Sequence, residues 1–209
     1  MNYTRTSAWL RWLIGTALLS AMAFNARATT VLPPDFDQLV NESDYIIHAV
    51  VKSVTAEYRT DTYGKKIITK VALEVREVVA GTPPKEVVLE ILGGRMGDEQ
   101  MVIEGAPRFH VGDEDILFVR GNGHTIVPLV AMMHGRYPVM KEASSGRKYM
   151  ARENQMPLRD TAEIAQAMPA GLVSATPAAT SSASSAMTPE EFIQRVKAAV
   201  NPSYVRAKP

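Results

Sequence analysis

The sequence predicts a small, mainly β domain built as an antiparallel barrel or sandwich, and three observations carry that expectation. Apolar and polar residues alternate with period two along several short stretches. Clusters of glycine and proline separate those stretches. Cysteine is absent, so no disulfide framework is available and a packed core has to hold the fold.

Pro33-Pro34 leads into Asp35, which suits the N-cap of a short helix with Phe36, Leu39 and Val40 on one side. A strand is expected from Tyr45 to Val54, where Ile47, Ala49 and Val51 alternate with His48, Val50 and Lys52. Glu57 to Lys66 reads as a hairpin connection. The clearest alternation follows, with Ile67, Thr69, Val71, Leu73 and Val75 on one face and Ile68, Lys70, Ala72, Glu74 and Arg76 on the other. Gly81-Thr82-Pro83-Pro84 breaks this strand, and Val87, Leu89 and Ile91 define the next, which Gly93-Gly94 ends.

Met101 to Ile103 reads as a short strand, and Val111 to Glu114 as a turn into the apolar strand Ile116 to Val119. Gly121-Asn122-Gly123 is a strong turn signal, with closing strands expected at Thr125 to Leu129 and Gly135 to Val139 and a short edge at Lys148 to Ala151. Beyond this the composition changes, because Pro169 to Met187 is almost entirely Ala, Ser, Thr, Pro and Gly and reads as a disordered linker. Thr188-Pro189-Glu190-Glu191 then forms a capping box with proline at the first helical position. The amphipathic helix it opens groups Phe192, Ile193, Val196, Ala199 and Val200 on one face. Joined to the rest by so long a tether, it is expected to dock on a partner and not on the barrel.

The opening residues point to export. Arg5 and Arg11 precede thirteen uncharged residues from Trp12 to Phe24, too short for a bilayer span, and Ala26-Arg27-Ala28 follows as a cleavage triplet. The organisation expected is a signal peptide over 1–28, a β-barrel domain over 29–152 and a low-complexity linker over 153–187. An amphipathic helix over 188–200 and a tail over 201–209 complete the chain. Cleavage removes three arginines and no acid, leaving 20 basic against 22 acidic residues. A near-neutral chain without a basic stripe argues against nucleic acid as a partner.

No motif names a reaction. Histidines 48, 110, 124 and 134 show neither HExxH nor HxH spacing, and no GxSxG elbow is present. Asp113-Glu114-Asp115 lacks calcium-loop spacing and reads as a solvated turn. Gly93-Gly94-Arg95-Met96-Gly97 lacks the Lys-Ser/Thr of a phosphate loop and reads as a β-connection. Met132-Met133 beside His134, with Met96, Met101 and Met140, is better suited to filling core gaps than to holding copper.

Ser43 to Val54, then Tyr63-Gly64, then Val71 to Gly81, resemble the opening of netrin-like domains, including tissue inhibitors of metalloproteinases. Gly93 to Val119, with Gly-Ala-Pro-Arg-Phe at 105–109 and Val-Gly-Asp at 111–113, is still more similar to a family of uncharacterised exported bacterial proteins with that layout. The resemblance covers about residues 36 to 140 and implies an OB-type barrel. It does not carry over the inhibitors' zinc-chelating N-terminal cysteine, because this chain has none.

The function expected is therefore an exported, non-catalytic binding module, periplasmic or secreted, without cofactor, metal or membrane anchor after cleavage. Its partner is expected to be a protein, a secreted protease being one option. Tyr58, Tyr63, Arg95, Arg108, Phe192 and Val196 are the expected contact residues. The alternative is a metal-dependent hydrolase or metal-binding protein that uses His110, His134, Asp113 and Glu114.

Overall fold

The structure, a computed structural model, describes residues 32–167 and 183–201. The expected signal peptide, the middle of the expected linker and nearly all of the tail lie outside them. The described chain is mainly β. Helix α1 (Phe36–Glu42) precedes strands β1 (Tyr45–Asp61), β2 (Gly64–Gly81), β3 (Val87–Leu92), β4 (Gly94–Met96) and β5 (Glu99–Met101). Strands β6 (Glu114–Val119), β7 (Arg136–Lys141) and β8 (Lys148–Met150) follow, and helix α2 (Pro189–Ala199) comes last. Six strands form one antiparallel sheet in the order β3-β2-β1-β6-β7-β8, while β4 and β5 pair separately. Among the described residues this sheet is not closed into a barrel.

The β1-β2 hairpin organises the sheet. Its strands run on through the segment expected to be a connection, so the turn shrinks to Thr62-Tyr63. Three residues have no partner in the ladder: Val79 and Arg76 on β2, and Lys52 on β1. Each is an extra residue that bends its strand and adds to the hairpin's intrinsic twist. The expected strand at Thr125 to Leu129 is reduced to a bridge between Val119 and Leu129. Proline at 128 has no N–H to give a longer ladder.

Both faces of the sheet are covered, which gives two cores. Ile47, Ala49, Val51, Val71, Leu89, Ile91, Leu117 and Val119 pack beneath Phe109, Val127 and Leu129 from the connecting loops. Ile46, Ile116, Phe118, Tyr137 and Met150 project the other way, against Leu39 and Val40 of α1 and Phe192, Ile193 and Val196 of α2. Phe118, Tyr137 and Phe192 meet as rings, with centroids 5.2–6.1 Å apart.

Two expectations are corrected here. Phe192 and Val196, expected to meet a partner, are fully buried in the chain's own second core, so α2 is part of the fold. Its face is matched by the aromatic surface of β6 and β7, and an 11-residue helix needs such burial to be stable. The ends of the expected linker are also ordered: Leu158 and Ile164 are buried, and Met150 N–H donates to Met187 O at 2.8 Å. Leu158 N–H donates to Met150 O and Met187 N–H to Leu158 O, so these segments cover the β8 edge. Among the described residues no helix is long and apolar enough to cross a membrane.

Candidate functional site

A groove of about 420 Å³ opens where the Gly93–His110 segment crosses the loop-covered face of the sheet. Val54, Ala56, Thr69 and Ile91 supply its sheet side, as alternation on β1, β2 and β3 places them together. Ile103 and Phe109 supply apolar surface from the crossing segment. Thr55, Arg95, Gln100, Val102, Arg108 and His110 are its exposed lining residues. No carboxylate is among its described lining residues. Arg95 uses its Nε–H on the Gly97 carbonyl at 3.2 Å, and the Arg108 side chain has no hydrogen-bond or ion-pair partner among the described residues.

The close approach of the crossing segment to the sheet depends on glycine. Gly94 has φ +132°, and a Cβ there would collide with the Thr69 hydroxyl, which donates to Gly93 O at 2.7 Å. Gly93 N–H in turn donates to Ile67 O at 2.8 Å.

The other end of the segment is held by a buried guanidinium. Arg136 opens β7 and donates through Nε to Asp115 Oδ1 at 2.8 Å and through a terminal nitrogen to Asp113 Oδ2 at 2.7 Å. Its other terminal nitrogen donates to the carbonyl of Arg108 and lies 3.4 Å from Glu153 Oε1. The guanidinium also sits 4.3 Å from the centroid of the Phe109 ring. Arg136 therefore fixes residues 108, 109 and 113 at once.

One cation serves three carboxylates, and their titration reflects it. Burial pushes Asp115 above the ordinary carboxylate range, although Arg136 pulls the other way. Burial likewise drives Glu153 up to about 7, again opposed by Arg136 and assisted by the charges of Asp115 and Asp113. Glu153 Oε2 is buried without a hydrogen-bond partner among the described residues. A protonated carboxyl near neutrality is the response expected of an acid that has left water with only part of a cation to itself.

The expected site residues separate into three groups. Arg95 and Arg108 line the groove together. Tyr58 stands beside it, with its hydroxyl 3.4 Å from Met96 O and its ring 3.6 Å from Lys65 Nζ, while Tyr63 lies at the hairpin tip, 90 % exposed. Phe192 and Val196 are in the core on the opposite face.

The residues of the metal alternative do not converge. Asp113 points to Arg136, with His110 Nδ1 3.5 Å away, and the His110 side chain is largely exposed. Glu114 faces the opposite way, to His48 at 2.9 Å and Lys148 at 2.8 Å, and His134 is buried in the 3-10 turn Met132–Gly135. Among the described residues no group of three or more His, Asp or Glu is placed to hold a metal ion.

Asp113-Glu114-Asp115 is thus no solvated turn: Asp115 is fully buried. Period-two alternation places Asp115 on the face of Leu117 and Val119, and that was the signal that it needed a buried cation. No family model, curated protein or solved structure matches the chain.

Proposed function

We infer that this is an exported, non-catalytic binding module that recognises a protein partner through the groove. The observation that carries the reading is the groove itself. It combines apolar surface from the sheet and Phe109 with two arginines that have no acidic partner among the described residues, and a buried ion cluster holds its wall in place. Preorganised apolar surface bordered by arginine is the composition of protein-binding hot spots. The export half rests on the uncharged run from Trp12 to Phe24 and the Ala26-Arg27-Ala28 triplet.

The barrel part of this reading is OB-like. Its support is the outer edge of β3, where Asn122 donates to Val88 O and accepts from Glu90 N–H, and Leu92 N–H donates to Ile126 O. With the Val119–Leu129 bridge, residues 122–129 span from β6 to β3, the position a closing strand of such a barrel occupies. OB folds bind on the second and third strands and neighbouring loops, the region of this groove.

Affinity capture with the mature chain from the extracytoplasmic fraction tests the function. A stoichiometric protein, lost when Arg95 and Arg108 are both reversed in charge, is the expected result. Repeatedly empty captures alongside tight binding of a small sugar would overturn it.

A further inference from the structure

The groove lies against a strand edge that the fold leaves open. β1 pairs with β6 only as far as Val50, and the backbone bonds between Val51 and residues 112 and 113 end that side of the ladder. From Ser53 to Asp61, β2 is the sole strand paired with β1 among the described residues. Among the described residues, 106–110 make no ladder bonds with β1 beyond this point, and they line the groove together with Val54, Thr55 and Ala56. An open edge beside a groove is the geometry in which an extended peptide adds as a further strand. Main-chain hydrogen bonds then give affinity, and alternate side chains enter the groove.

Charge selects the occupant. Arg95 and Arg108 flank the groove with unused guanidinium donors, and none of its described lining residues is acidic. A guanidinium binds a carboxylate through paired N–H donors, so an acidic side chain on the incoming strand supplies what the site lacks. The chain's own remaining segments do not: residues 1–31, 168–182 and 202–209 contain neither Asp nor Glu.

We propose that the occupant is an extended, acidic segment of the partner protein. It adds as a strand to β1 at Ser53–Tyr58, inserts apolar side chains toward Val54, Ala56 and Phe109, and sets a carboxylate between Arg95 and Arg108. This rests on the binding-module reading and specifies its ligand class.

Selection of a displayed random dodecapeptide library on the full mature chain is the test. Sequences with Asp or Glu alternating with apolar residues are expected to be enriched. Bound as free peptides, the winners should lose at least tenfold in affinity to the Arg95→Glu/Arg108→Glu double variant, whose exposed side chains leave the thermal midpoint in place. They should also slow amide exchange over Ser53–Tyr58 on β1. Winners without acids, binding indifferent to the double variant, or protection elsewhere would each overturn the proposal. So would a failure to enrich any peptide, or charge-sensitive self-association of the chain that blocks the groove. If the proposal fails while affinity capture still recovers a stoichiometric partner, the binding-module reading survives without it.

Discussion

Arg136 and Asp115 face each other inside the protein, joined by bonds of 2.8 and 3.2 Å, with Asp115 fully removed from solvent. The pair is contributed by adjacent strands, since β6 and β7 run antiparallel with Leu117 opposite Arg136. Its consequence reaches the groove, because the same guanidinium holds the Arg108 carbonyl and lies on Phe109.

Arg136→Met is therefore expected to cost about 3–5 kcal/mol, the penalty for leaving a buried charge without its partner. Urea unfolding followed by fluorescence measures it. Arg136→Lys should recover little, since a point charge cannot reach Asp115, Asp113 and the Arg108 carbonyl together. A loss below about 1 kcal/mol would mean that the cluster does not organise the wall.

Glu153 makes stability depend on pH in the opposite sense to most acids. Its folded value of about 7 lies above the ordinary 4.5, so the folded state retains a proton that the unfolded chain has released. Its contribution is fully present below about pH 4.5 and is lost as pH rises toward 7. Glu153→Gln should leave stability unchanged near pH 4 and raise it at pH 8 by on the order of 3 kcal/mol. Equal effects at both pH values would contradict the assignment.

Helix α2 is expected to be indispensable to the fold. Phe192→Ala removes a fully buried ring in contact with Phe118 and Tyr137, and should cost about 3–5 kcal/mol. Ending the chain at Met187 should lower the thermal midpoint by ten degrees or more, as seen by calorimetry. An unchanged midpoint would return the helix to the role of a tethered docking element.

Gly94→Ala forces a Cβ into the Thr69 hydroxyl at a backbone angle that side chains avoid. The crossing segment should lift, accelerating amide exchange over 94–110 by at least tenfold while the β6-β7 amides keep their protection. Uniform acceleration would show that the groove wall and the sheet open as one unit.

The local parts of this architecture were legible in the sequence, and the non-local parts were not. The N-cap at Asp35, which the structure completes into a capping box with Gln38, and the capping box of Thr188 with Glu191 form where short-range chemistry places them. So does the alternation of Val87, Leu89 and Ile91. The extra residues at Arg76, Val79 and Lys52 left no mark, because a bulge is set by the partner strand's register. The destination of α2 was hidden for a similar reason. An apolar helix face carries no record of what covers it, and the covering rings belong to β6 and β7. At the groove, Arg95 and Arg108 were reached from the OB-type expectation, which puts binding on the second and third strands and neighbouring loops. Arg136 was missed because its three carboxylate partners lie 17 to 23 residues away along the chain.

The central claim is that the groove is the surface the protein works with, and site-specific photocrosslinking tests it most directly. A photoreactive amino acid at Val102, an exposed lining residue, should capture a partner protein in the extracytoplasmic compartment. The same probe at Val78, exposed on β2 outside the groove lining, should not. A crosslink at Val102 that disappears when Arg95 and Arg108 are reversed in charge is the predicted result. Capture of the partner at Val78 with none at Val102 would contradict the account.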